Sequence, residues 1–102
     1  MESPSIRIEG KTYKAKPPKV KLWRKIVKFN KNFGQVDNLH ENIEAYEAML
    51  ELLADCFNVE QVTPDAIEDN LDLGELMPTF QDVTTWVGEI LQEASKGVPE
   101  KN

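Results

Sequence analysis

A chain of 102 residues, 40% apolar and 29% charged, has material for one core, which excludes two independently folded domains and also a disordered or fibrous chain. Its single cysteine excludes an internal disulfide, and the absence of any long apolar run argues against a signal peptide or membrane span, so the cytosol is the expected compartment. The net charge of −6 conceals a polarity: residues 1–33 carry ten basic groups against Glu2 and Glu9, a balance of +8, while residues 34–102 carry two against sixteen acids, −14.

Met1 to Ser5 reads as a frayed end. Ile6 to Glu9 and Thr12 to Ala15 alternate apolar and polar residues about a turn at Gly10-Lys11, the pattern of a short β-hairpin. Two strands alone are marginal in water, so Ile6, Ile8 and Tyr13 are expected to lean on a helix or on another subunit. Pro17-Pro18 ends the second strand and opens a helix over residues 19–32. Leu22, Ile26, Phe29 and Phe33, with Trp23 and Val27 beside them, form its apolar face, and Lys21, Arg24, Lys25, Lys28 and Lys31 a basic one. Asn32 and Gly34 supply its stop.

The stretch from Leu39 to Asn58 has the clearest period. Leu39, Ile43, Tyr46, Leu50, Leu53 and Phe57 recur at steps of four and three, and Ala45, Met49, Leu52 and Cys56 widen the stripe enough to touch two neighbours. Asp37 or Asn38 is the expected N-cap, with Glu41 closing a capping box on Asn38. Thr63-Pro64-Asp65 opens a short helix that meets Asn70 soon after. Leu71, Leu73, Leu76 and Met77 form an apolar patch in a segment that is part loop and part helical turn. The last helix opens at Pro78, or at Thr79 with Asp82 completing the cap. It holds its period through Phe80, Val83, Val87, Ile90, Leu91 and Ala94, with Trp86 at the edge, until Gly97 and Pro99 end it. The predicted fold is mainly α, about four helices behind an N-terminal β-hairpin, as a single domain over 1–102 with mobile tails at 1–5 and 97–102.

The inventory of chemistry is short. Cys56 and His40, the lone thiol and imidazole, fall sixteen residues apart on one predicted helix, about 24 Å at the helical rise, and cannot work as a nucleophile and base within one subunit. His40-Glu41 lacks the second histidine of a zinc-protease helix, and Asp65, Glu68, Asp69, Asp72 and Glu75 do not have the spacing of a calcium loop. No phosphate loop, nucleophile elbow or dinucleotide fingerprint is present, so no catalytic residue, metal or cofactor is expected and the chain is expected not to be an enzyme. Two uses of the basic helix stay open. Lys21, Arg24, Lys25 and Lys28 beside Trp23 and Phe29 suit a small nucleic-acid-binding regulator, which the −14 remainder opposes; alternatively the dipolar chain covers itself or stacks on copies of itself.

The order of Ile6-Arg7-Ile8-Glu9-Gly10-Lys11-Thr12-Tyr13, the Lys-Leu-Trp-Arg-Lys-Ile-Val-Lys-Phe run at 21–29, the Ala-Met-Leu-Glu-Leu-Leu-Ala-Asp-Cys-Phe run at 48–57, Val-Thr-Pro-Asp-Ala-Ile-Glu-Asp at 62–69 and an apolar-acidic closing helix resembles the tail assembly chaperones of long-tailed phages and prophages of Gram-positive bacteria. That resemblance implies a non-enzymatic protein of the host cytoplasm, absent from the mature virion. It would keep the tape measure protein soluble until tail tube protein polymerises around it. The resemblance also implies a longer product of programmed frameshifting, and Glu100-Lys101-Asn102 can be encoded with a slippery A-AAA-AAC heptamer. The residues expected at the partner are Leu71, Leu73, Leu76, Met77 and Trp86, the bulky apolar groups hardest to assign to one core. A structural tail or connector subunit that stays in the particle is the competing reading.

Overall fold

The computed structural model describes residues 3–96. Met1, Glu2 and residues 97–102, with the Gly97 and Pro99 stop signals and the expected C-terminal tail, lie outside the described residues, as do the side chains of His40, Ser95 and Lys96.

The chain enters as an antiparallel hairpin of β1 (Ser5–Ile8) and β2 (Lys11–Lys14), pairing Ser5 with Lys14 and Ile8 with Lys11. Its turn is Glu9-Gly10, one residue earlier than expected, and both residues have positive φ, 49° and 81°. Two successive left-handed residues give the two-residue turn that follows the strand twist, and a glycine at the second position adopts that conformation freely. Ile6 and Ile8 are buried and Tyr13 packs against the same core. The Glu9 N–H donates to Asn70 Oδ1 at 2.8 Å, the Ala15 N–H to the Pro4 carbonyl at 2.9 Å and the Lys16 N–H to the Phe57 carbonyl at 3.4 Å. The ribbon, marginal by itself, is thus fastened to the helices.

Helix α1 (Val20–Phe33) follows Pro17-Pro18 and buries Leu22, Ile26 and Phe29. Phe29 lies 5.3 Å from Phe33 and 5.4 Å from Phe80 between ring centroids, both tilted, which joins α1 to the last helix. The expected long helix from Leu39 is broken near its start. Leu39–Glu41 is a single 3₁₀ turn, and α2 (Ile43–Phe57) begins only after Asn42, whose side chain accepts from the Ala45 N–H at 3.0 Å. Asn38 makes no such side-chain cap. Apolar spacing runs on through the break, but Asn42 competes for backbone donors as asparagine does, and its backbone turns extended. Ile43, expected on the inner stripe, is therefore 66% exposed. We expect Asn42→Ala to cost about 1 kcal/mol and Asn38→Ala less than about 0.5 kcal/mol in urea unfolding. The opposite ranking would place the helix start at Leu39 after all.

Asn58 ends α2 in the left-handed conformation. Helix α3 (Pro64–Asn70) opens as anticipated, with Thr63 Oγ1 accepting from the Ala66 N–H at 3.1 Å and Pro64 in the first position. The last helix, α4 (Leu76–Lys96), starts two residues before Pro78 and three before Thr79. Its start signal is Asp72, whose N–H donates to Glu75 Oε1 at 3.1 Å, through the 3₁₀ turn Leu73–Glu75 that runs directly into α4. Pro78 sits in the first turn of α4, where its missing N–H costs nothing.

Helix α2 is the centre of the packing and touches three neighbours, α1, α3 and α4, where two were expected. Ala45, Met49, Leu53 and Phe57 on it are wholly inaccessible. From α4, Leu76, Phe80, Val83, Trp86 and Val87 complete one continuous core with the hairpin and α1. Leu91 and Ala94, expected on that face, are exposed, because the final turns of α4 run past the core. Among the described residues there are thus four α-helices and one two-stranded hairpin.

Candidate partner-binding surfaces

The expected partner residues divide into two groups. Asn70 closes α3 by donating from Nδ2 to the Ala66 carbonyl at 2.9 Å, and Leu71 is then extended, which turns the chain across α2 before Asp72 and Glu75 restart it. This local chemistry brings Leu71, Leu73 and Leu76 to one cleft of about 160 Å³, shared with Tyr46, Leu50, Ile67, Glu68 and Asp72. Leu76 is its buried floor, Leu71 a half-buried wall, and Leu73 a lip that is 87% exposed. The Tyr46 hydroxyl donates to Glu68 Oε2 at 2.8 Å across the rim. That bond to the carboxylate, then burial and the Glu68 charge, raise the Tyr46 pKa. An apolar hollow of this kind accepts roughly one ring-sized or branched aliphatic group. Trp86 and Met77 are placed differently. Trp86 is only 7% exposed and belongs to the core, a correction to its expected place at the helix edge, and the half-buried Met77 does not line the cleft.

The basic face of α1 is also divided. Lys25 Nζ pairs with Asp55 Oδ2 of α2 at 2.8 Å, so the acidic part does cover one lysine of the basic end. Both groups are over 40% exposed, and the pair adds about 0–1 kcal/mol. Lys21, Arg24 and Lys28 are exposed. Phe29, which would have to stack a base in the nucleic-acid reading, is 8% exposed and held between Phe33 and Phe80. The side of α1 between the core face and Arg24 carries Val20, Trp23 and Val27, which are 89%, 38% and 47% exposed.

A family model described as phage tail chaperone protein matches residues 3–102. The chain belongs to that family. No curated protein and no solved structure gives a significant match. For a phage tail assembly chaperone the useful surfaces are those that accept another protein's apolar groups, and among the described residues these include the cleft, the outer side of α1, and a groove of about 310 Å³ between α1 and α2 lined by Phe29, Phe33, Ala48 and Leu52 together with Lys25, Lys28, Glu51 and Asp55. No helix among the described residues is long and apolar enough to cross a membrane, and none of their His, Cys, Asp and Glu side chains gather in threes fit for a metal ion.

Cys56 of the chaperone faces the core at 1% exposure. Burial first, and then the charge of Asp55, push its thiol up to about 12. At pH 8 the native protein is therefore expected to react with a thiol reagent only as fast as it unfolds, while in denaturant one thiol reacts at once. Prompt reaction of the folded chain would place Cys56 at the surface. Sequence reasoning missed Val20, Trp23 and Val27 as a separate feature, because Trp23 and Val27 were merged with the core-facing row of α1. The signal was available in their angular position. They lie more than a quarter-turn from the Leu22, Ile26 and Phe29 row at 100° per residue.

Proposed function

We propose that this chaperone binds the tape measure protein and keeps it soluble during tail assembly, as a non-enzymatic protein of the host cytoplasm that does not remain in the mature virion. The observation that supports this reading is the cleft itself. Leu71, Leu73 and Leu76 converge on an open apolar hollow edged by Glu68 and Asp72, on a protein that is otherwise strongly acidic. A long helical client with unburied apolar stripes aggregates unless those stripes are covered. Here the cleft takes a client side chain while the surrounding carboxylates keep the complex hydrated and mutually repulsive. Many copies along one client make even a weak single contact effective. Tail tube protein is the expected competitor that displaces the chaperone as the tube grows.

Two measurements test it together. Tagged chaperone co-expressed with the tape measure protein of the same phage is expected to co-purify with it, and purified virions are expected to lack the chaperone. Retention in virions would favour a structural tail or connector subunit, and failure to co-purify would remove the client. The companion expectation of a longer frameshifted product rests on the codons of Lys101 and Asn102. Codons other than AAA-AAC, or no overlapping downstream frame, would end it.

A further inference from the structure

We propose that the outer side of α1 is a second docking strip, built for an acidic amphipathic helix of another protein. Val20, Trp23 and Val27 are spaced by three and four residues, so their side chains lie along one side of two turns, and they are 89%, 38% and 47% exposed. They are three of the six large apolar side chains that are exposed among the described residues, gathered on one strip with nothing over it. Arg24 follows Val20 by four and Lys31 follows Val27 by four, so two exposed cations border the strip. No aspartate or glutamate occurs from Gly10 to Val36, and Lys25, the α1 cation that has an acidic partner, reaches Asp55 on the opposite flank.

An apolar row edged by unopposed cations calls for a partner row edged by carboxylates, laid helix against helix. Among the described residues, copies of this chain offer only a short one, the end of α4 where Leu91 and Ala94 are exposed near Glu89. Their remaining large exposed apolar groups, Ile43, Leu73 and Leu91, stand on three separate elements, α2, the turn before α4, and α4 itself. Nucleic acid fits poorly, since valines flank Trp23 at both ends of the strip where a phosphate backbone would need donors, and Phe29 is closed off in the core, which leaves Trp23 as the one exposed ring of α1. That the acidic helix belongs to a tail protein rests on the chaperone reading; the chemistry of the strip does not.

The test uses the full chain and three probes: a helical peptide with leucines on one face and glutamates elsewhere, its counterpart with lysines replacing the glutamates, and a single-stranded DNA oligonucleotide. Calorimetry is expected to show binding of the glutamate peptide, weakened by salt and weakened about tenfold or more by Trp23→Ala or Val27→Asp. Arg24→Glu with Lys31→Glu is expected to reverse the preference toward the lysine peptide. These positions are exposed, so circular dichroism and melting should match the parent chain, which separates lost binding from lost folding. Four results would overturn the strip: equal binding of both peptides, DNA binding tighter than either, affinity for the glutamate peptide untouched by Trp23→Ala, or a dimer of the free chain that Val27→Asp dissociates. Any of these alongside intact co-purification of the tape measure protein would leave the chaperone reading standing. Peptide binding without co-purification would do the reverse.

Discussion

Phe57→Ala is expected to remove about 3–5 kcal/mol of stability, the largest loss of any single truncation in this chain. Phe57 closes α2, is wholly inaccessible, and its carbonyl accepts from Lys16 where the hairpin strand leads toward α1. Phe57 belongs to the one continuous core, so packed neighbours can close only partly on a void there and the transfer loss is joined by lost contacts. Domains of this size have about 5–15 kcal/mol in total. The variant should therefore unfold at a much lower urea concentration, or fail to fold at 37 °C, with an unchanged dependence on denaturant if folding stays two-state. A loss below about 1 kcal/mol would mean that α2 is not the centre of the packing.

Leu73→Asp is expected to do the opposite, leaving the fold and removing the client. At 87% exposure the side chain contributes almost nothing to the core, and surface changes of this kind stay within about 0.5 kcal/mol. In the proposed complex, however, Leu73 is the lip that a client side chain must pass, and aspartate there adds a third carboxylate to Glu68 and Asp72 around the hollow. With a charge placed where the client side chain must pass, the expected weakening is that of an interface hot spot, about thirtyfold. The comparison that isolates the effect is Leu76→Asp, three residues on, which buries a charge in the floor and should unfold the chain rather than merely release the client. Equal client loss from Leu73→Asp and from a distant exposed change such as Glu47→Gln would place the contact elsewhere.

Much of this architecture is legible in the residues. Thr63-Pro64 named the start of α3 because its cap and proline act locally, through bonds that need no tertiary partner. The hairpin and the inner rows of α1, α2 and α4 follow from period alone. The errors arise where two local signals compete. Asn38 and Asn42 can each cap a helix, and the apolar spacing is satisfied by both; only the packing of α2 selects Asn42. Asp72 with Glu75 and Thr79 with Asp82 are similar pairs, and the earlier one starts α4, with Pro78 tolerated in its first turn.

The candidate surface was less legible, because exposure depends on what the other elements cover. Trp86 looked marginal on a helical projection but is buried in the common core, while Leu73, in the same apolar patch as Leu76, is left outside by the 3₁₀ turn that carries it. The outer row of α1 was merged with the inner one for the same reason. The angular separation of the two rows is readable in α1, but which row the neighbours cover is not, and in the fold it is the one carrying Leu22, Ile26 and Phe29.

The most direct measurement is the soluble fraction of the tape measure protein made in cells at rising levels of this chain. The client should move from the pellet to the supernatant as the chaperone increases, and Leu73→Asp chaperone at matched levels should leave it in the pellet. A tape measure protein that stays insoluble at every level of the parent chain, or that is rescued equally by the variant, would contradict a client held at this cleft.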